Sequence, residues 1–346
     1  MARVNLLTIH WGCSFGGTLQ TFATVKTLQD LGHDVKVINL VHPKTKFFHR
    51  IKKRHSLPAL LYDFNMNLRF FHFQRHHIGH FTRKMYNIHG PYIPPCDFTI
   101  VGSDQVWNED ITTPLELTYF LDFVKKGEKI AYASSFGKFH WEGSSSYTKT
   151  VKELLGKFKS ISVREESAVQ ICKSVFGVDA IHILDPTLVW GNYDKLLKVQ
   201  TGSHYIYSFL FKNDEETKTV CNTISRELEL SIFKPTKVQS FTDASPRGWL
   251  NRMRNADFII TDSFHGLAFS IIFHKNFIVL CADKKKFARL LSLLKLVHLE
   301  DRFVSSLKDL LSRINLLKEN INYSEVDKIL LKERQKALSF LTESLH

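Results

Sequence analysis

Nothing in this 346-residue chain approaches the roughly 18–20 consecutive apolar residues that a membrane-spanning helix needs. Its start, MARVNLLTIHWG, has neither the long apolar stretch nor the small-residue cleavage site of a signal peptide, and reads as a first core strand. Cysteine is sparse. The five residues, at 13, 96, 172, 221 and 281, are odd in number and never form a CxxC pair, which argues against a disulfide framework or a structural zinc site. No internal repeat and no low-complexity tract is present. These absences predict a reduced, cytoplasmic protein with no address tag and no metal centre. What is there agrees: 44% apolar and 23% charged residues is the balance of a soluble globular protein. The length exceeds a single usual core and predicts two domains.

Acidic residues are missing from one place in particular. Between positions 42 and 86 stand ten Lys/Arg (44, 46, 50, 52, 53, 54, 69, 75, 83 and 84) against a single acid, Asp63. That segment holds +9 of a net charge of +13, with seven of the 17 histidines and seven phenylalanines. A basic, aromatic-interleaved stretch suits an anionic partner such as nucleic acid, an acidic membrane surface or a phosphorylated substrate. The plainer alternative is a solvated insertion whose Phe residues pack on the domain.

Elsewhere short apolar runs alternate with amphipathic stretches. Strands are predicted at 4–9, 35–40, 98–101, 129–133, 160–163 and 180–184, with helices at 19–31, 146–157 and 165–176. A polar pause at 191–203 reads as a linker. Strands then follow at 205–210, 232–234, 257–261 and 277–281, helices at 214–229, 246–255 and 266–273, and Lys-rich helices from 284 to 346. This rhythm implies parallel βαβ units. The prediction is α/β: two Rossmann-like doubly wound domains facing a central cleft. They span 1–198 (with the basic insertion 42–86) and 203–320, followed by a helical segment at 321–346.

Ligands of open α/β sheets bind beyond the carboxyl ends of the strands, and those positions collect polar and small residues here. They include Gly16, Gly17 and Gln20; Ser103, Asp104, Gln105, Trp107 and Asn108; Ser134 to Gly137; Arg164 to Ser167; and Asp262 to Gly266. Each has a modest alternative. Gly16-Gly17 lacks the GxGxxG spacing and any P-loop lysine, so a tight strand–helix turn explains it as well as an anion site. Asp104 and Asn108 suit helix caps or turns. Trp107 is either core or a platform for a sugar face. Arg164 could pair with Glu165 or Glu166, although its planar fork also suits carboxylate and phosphate oxygens. His265, at a helix start beyond a strand, is either a satisfied buried histidine or a group that moves protons.

The segments FGGTLQTFA, VGSDQVWN, KIAYASSFG, ISVREESA, ILDPTLVW and NADFIITDSFHGLAFSIIF, in that order, resemble the polysaccharide pyruvyl transferase family. The resemblance runs from residue 4 to about 300 and rests most on GSDQVWN and TDSFHG. It implies a GT-B-like pair of domains, the first on the acceptor side and the second on the donor side. It also implies transfer of the pyruvyl group of phosphoenolpyruvate to two hydroxyls of a sugar, with no metal or organic cofactor. The acceptor would be a bacterial surface or capsular polysaccharide or its lipid-linked precursor, with peripheral membrane contact through 42–86. His265 falls on the family's histidine and Arg164 on its mid-chain arginine. One branch carries an arginine where this chain has Ser263, so the missing contact would fall to Arg164, to Arg289 or to the lysines at 284–286. On this reading His265 is the acid/base, Arg164 anchors donor anions, Asp104 orients or deprotonates an acceptor hydroxyl, and Trp107 and Asn108 line the sugar site.

Two other readings compete. A glycosyltransferase with a nucleotide-sugar donor would share the architecture, which fold alone cannot separate. A non-catalytic basic protein could bind nucleic acid through 42–86, but no zinc-finger, helix-turn-helix or RNP-type motif accompanies the charge.

Overall fold

The computed structural model describes residues 1–43, 57–87, 93–197, 204–281 and 284–346. Six of the basic insertion's cations (44, 46, 50, 52, 53 and 54) and part of the expected linker lie outside the described residues. The chain forms two compact units, Met1–Trp190 with Glu333–His346, and Gly191–Lys332. The division falls at Trp190 rather than 198, and residues 333–346, predicted as part of a separate helical segment, belong to the first unit.

The first unit is built on six parallel strands: β1 (Arg3–Leu7), β2 (Asp34–Val37), β3 (Phe98–Val101), β4 (Glu128–Ser134), β5 (Ser160–Val163) and β6 (Ile181–His182), in the order β2-β1-β3-β4-β5-β6. Leu6, Ile100, Ala131 and Val163 are fully buried, as expected of a parallel sheet covered on both faces. β1 stops at Leu7, two residues early, because the Thr8 hydroxyl turns to donate to the Ser103 carbonyl at 3.0 Å. β2 is cut at Val37. Val37 also bridges to Phe81 on its outer edge, and farther along Leu40 bridges to Met85.

Within the basic insertion the structure adds a helix, Leu57–Phe73, to the elements expected from sequence. Its inner face packs Phe70 and Phe73 against Phe15 and Phe22 of the helix Phe15–Asp30, with ring centroids 5.2 and 5.8 Å apart. Leu61, Phe64, Leu68 and Phe71 are exposed at spacings of three, four and three, which is one helical stripe.

The second unit has β7 (Tyr205–Phe209), β8 (Ser231–Ile232), β9 (Phe258–Thr261), β10 (Asn276–Leu280) and β11 (Phe303–Val304), all parallel, in the order β11-β10-β9-β7-β8. The two-residue β11 carries too little pattern to be read from sequence. The apolar run after β9 forms the helix Phe264–Ile272, and every residue of it but the last is buried. In both units the chain leaves its first strand for one edge and then returns to pair on that strand's other side. This creates a topological switch point between β1 and β3, and another between β7 and β9, where α/β sheets open to ligands.

Candidate functional site

At the first switch point the loops after β1 and β3 are clamped by the Thr8–Ser103 bond. Ser103 is fully buried, its hydroxyl 2.8 Å from the Ala133 carbonyl and 3.0 Å from Asp185 Oδ2. Arg164, just past β5, sends Nη1 to Asp185 Oδ2 at 2.8 Å and Nη2 to Asp104 Oδ1 at 2.9 Å, while Glu165 Oε2 stands 4.0 Å from Nε. Burial opposes the guanidinium charge, but the carboxylates of Asp104, Asp185 and Glu165 outweigh it and hold the Arg164 pKa above its ordinary value. Asp104 has a left-handed backbone, φ 73°, and its carboxylate also accepts the Gln105 N–H at 2.9 Å. Such a conformation is uncommon outside glycine, and aspartate tolerates it because its side chain can bond the local backbone. The other two acids are anchored as well. Asp185 Oδ1 accepts from the Thr187 N–H and hydroxyl, and Glu165 Oε1 from the Ser135 hydroxyl and the Gly137 N–H.

Arg164, expected to anchor donor anions, therefore does not stand open to one. Its side chain is 0% exposed and paired with carboxylates. Of the two acids considered from sequence, Glu165 stands within 4.0 Å of it, and its shorter contacts are to Asp104 and Asp185. Asp104 keeps 15% of its side chain exposed. Asp185, which carries half of the arrangement, was missed as a site residue. It stands directly beyond the predicted strand 180–184, where the strand-end rule would have found it.

Trp107 belongs to the core rather than to a sugar platform. It is 1% exposed, stacks on Phe120 at 5.4 Å and donates its indole N–H to the Tyr119 carbonyl at 3.0 Å. Asn108 caps the short helix Glu109–Thr112 by accepting the Asp110 N–H, and donates to Gln105 Oε1 at 2.9 Å. Gln20 is also internal, its amide nitrogen 2.7 Å from the Thr8 hydroxyl and 3.0 Å from the Gly17 carbonyl. Gly16 and Gly17 form the first helical turn behind the Ser14 cap, and a Cβ on Gly17 would sit 2.8 Å from the Ile9 carbonyl. Close helix–strand approach explains that glycine.

In the second unit the motif TDSFHG can be read residue by residue. The Thr261 hydroxyl donates to the Phe209 carbonyl at 2.8 Å and accepts the Ser263 N–H at 3.1 Å, tying β9 to β7. The Asp262 carboxylate takes the N–H groups of Phe211 at 2.8 Å and Lys212 at 3.4 Å. Ser263 is the N-cap, its side chain accepting the Gly266 N–H. Gly266 lies against the Thr261 side chain so closely that a Cβ would collide with its hydroxyl. The helix consequently starts two residues earlier than predicted, and His265, 7% exposed, sits in its first turn. A cavity of ≈ 430 Å³ opens at this switch point, with Phe211, Lys212, Glu216, Asp262, Cys281 and Ser305 in its wall. His265 is not one of its lining residues. Arg289 is half-buried on the helix Lys284–Leu296, and the side chains at 284–287 lie outside the description.

Among the described residues no group of three or more His, Cys, Asp or Glu is arranged to hold a metal ion. No helix among them is long and apolar enough to cross a membrane.

No curated protein matches the sequence significantly. Among solved structures, a UDP-GlcNAc 2-epimerase from Neisseria meningitidis bound to UDP-GlcNAc is 9% identical over 100% of this chain and 99% of that one, with a TM-score of 0.51. The spinosyn rhamnosyltransferase SpnG is 10% identical over 99% of each chain, with a TM-score of 0.48. At such identity the likeness concerns the fold, which is GT-B-like: two Rossmann-like units on parallel sheets. The profile of polysaccharide pyruvyl transferase matches residues 15–280, from the first helix of the first unit to the end of β10. With GSDQVWN shaping the loop after β3 and TDSFHG the turn after β9, the chain belongs to the polysaccharide pyruvyl transferase family.

Proposed function

We propose that this protein transfers the pyruvyl group of phosphoenolpyruvate to two hydroxyls of a sugar in a bacterial surface or capsular polysaccharide, or in its lipid-linked precursor. The observation that carries the reading is the family match across residues 15–280, which takes in both strand-end clusters. In the proposed chemistry the enol methylene is protonated, and one hydroxyl oxygen attacks the neighbouring carbon. The bond from that carbon to the phosphate oxygen then breaks, and the second hydroxyl closes the ketal. Of the two hydroxyl protons lost, one ends on the new methyl group and the other on phosphate, so no metal or organic cofactor enters the balance. His265 is assigned the proton transfers, which suit an imidazole. Asp104 orients an acceptor hydroxyl, and Arg164 is a positioning residue that holds Asp104. The test is mass spectrometry of candidate glycans incubated with phosphoenolpyruvate. A gain of one pyruvate less one water supports the reading. Transfer from nucleotide sugars instead, with none from phosphoenolpyruvate, would replace it.

The reading extends to where the acceptor is held. The exposed stripe Leu61, Phe64, Leu68 and Phe71, with Arg69, Arg75, Arg83 and Lys84 close by in sequence, suits peripheral contact with an anionic membrane surface. The protein is expected to co-sediment with phosphatidylglycerol vesicles at low salt, and the triple variant L61S/F64S/L68S to remain in the supernatant. Equal sedimentation of the two proteins would remove the stripe from the account.

A further inference from the structure

The described part of the basic segment encloses a cavity of ≈ 400 Å³ in the first unit, beyond the carboxyl ends of β1 and β2. Its wall combines three kinds of group. Trp11 and Phe81 contribute aromatic rings, Asn39 and Gln74 amides, and Arg75 and Lys84 cations. No carboxylate is in the lining. Among the described residues Arg75 has no carboxylate partner, and Lys84 lies over the Tyr86 ring at 5.3 Å.

Much of this wall is held rigid from behind. His10, 3% exposed, has Nδ1 3.2 Å from the Thr8 carbonyl and Nε2 3.2 Å from Asn39 Oδ1, and its own carbonyl accepts from the Gln74 amide at 2.9 Å. One buried histidine thus fixes both amides, and its ring lies 5.4 Å from Phe81. Trp11 is pinned through its indole N–H to the Tyr119 hydroxyl at 3.1 Å. Arg75 and Lys84 are exposed.

Rings that can cover an apolar sugar face, amides for hydroxyls, and two cations with no carboxylate partner among the described residues define the ligand's chemistry. Sites of this kind use a few placed polar groups to orient a ligand and a guanidinium fork to take phosphoryl oxygens. We infer that this cavity is the acceptor subsite and that it takes a saccharide bearing a phosphate or diphosphate. The inference rests on the pyruvyl-transfer reading for the word acceptor. The phosphosaccharide preference rests on the cavity alone.

Binding is measured by titration calorimetry without phosphoenolpyruvate, so that its result is independent of catalysis. The probes are glucose 1-phosphate and farnesyl-diphosphate-linked N-acetylglucosamine, with free glucose as control. Both phosphosaccharides are expected to bind more tightly than glucose, and R75A and K84A each to weaken them by about tenfold or more. The double variant R75A/K84A should lose them, with an unchanged melting midpoint because both side chains are exposed. Tighter binding of the farnesyl probe points to a lipid-linked source and equal binding to a soluble sugar phosphate; either sustains the inference. It is overturned if the wild type binds neither phosphosaccharide, if glucose binds as well as they do, or if R75A/K84A binds them like the wild type. If binding behaves as expected but phosphoenolpyruvate releases no phosphate with any acceptor, the transfer reading fails while the phosphosaccharide subsite stands.

Discussion

Replacing His265 by glutamine is expected to slow phosphate release from phosphoenolpyruvate, in the presence of an acceptor, by about two to four orders of magnitude. The turn around it explains why the effect should be confined to chemistry. Thr261, Asp262, Ser263 and Gly266 carry the bonds and the close approach that hold the strand end to the helix. Glutamine removes the imidazole while leaving those contacts in place and keeping a polar side chain of similar length. The melting midpoint is therefore expected to move little, whereas G266A, which forces a Cβ into Thr261, should lower it. Near-normal phosphate release by folded H265Q would withdraw the acid/base assignment.

The second large effect is expected at Arg164, and in a different observable. Removing one partner of a buried ion pair typically costs about 3–5 kcal/mol, because the remaining charge stays buried without compensation. In R164A that charge is carried by Asp185, 1% exposed, and by Asp104. For a unit of this size the cost corresponds to a fall of roughly 6–20 °C in melting midpoint. R164K, which keeps a charge but not the two-pronged fork, should lie between R164A and the wild type. The double variant R164M/D185N removes both members of one pair, and is expected to recover part of the stability lost in R164A. A direct donor anchor behaves otherwise: R164A would keep its melting midpoint while the apparent KM for phosphoenolpyruvate rose more than about tenfold. That combination would restore the donor role and set aside positioning of Asp104.

Ser263 shows how the two levels of information differ. Beside relatives that carry an arginine there, the serine reads as a missing donor contact. In the fold it is an N-cap whose hydroxyl accepts the Gly266 N–H, and it sets where the helix begins. Trp107 makes the same point from the opposite side. A tryptophan beside Asp104 and Asn108 has the chemistry of a sugar platform, yet its ring is stacked on Phe120 and closed off. Spacing along a strand end says which residues share a loop. It does not say which of them turn inward, because that depends on the helices packed over the loop.

By itself the sequence determined the alternation of strands and helices, the presence of two α/β units, the family, and the strand ends at which polar residues gather. These are properties of local periodicity and short contiguous motifs, in which each residue's neighbours in sequence suffice. Only the tertiary structure decided which ends adjoin which. It brought Asp185 to Arg164 across 21 residues and Asp104 to the same guanidinium across 60. It also set His10 behind Asn39 and Gln74, and turned one face of the helix Leu57–Phe73 inward while leaving Leu61, Phe64 and Leu68 outside. The physical reason is the sheet order. Parallel strands from distant parts of the chain lie side by side, so the charges and hydrogen bonds that decide each group's role come from residues whose proximity no local pattern encodes.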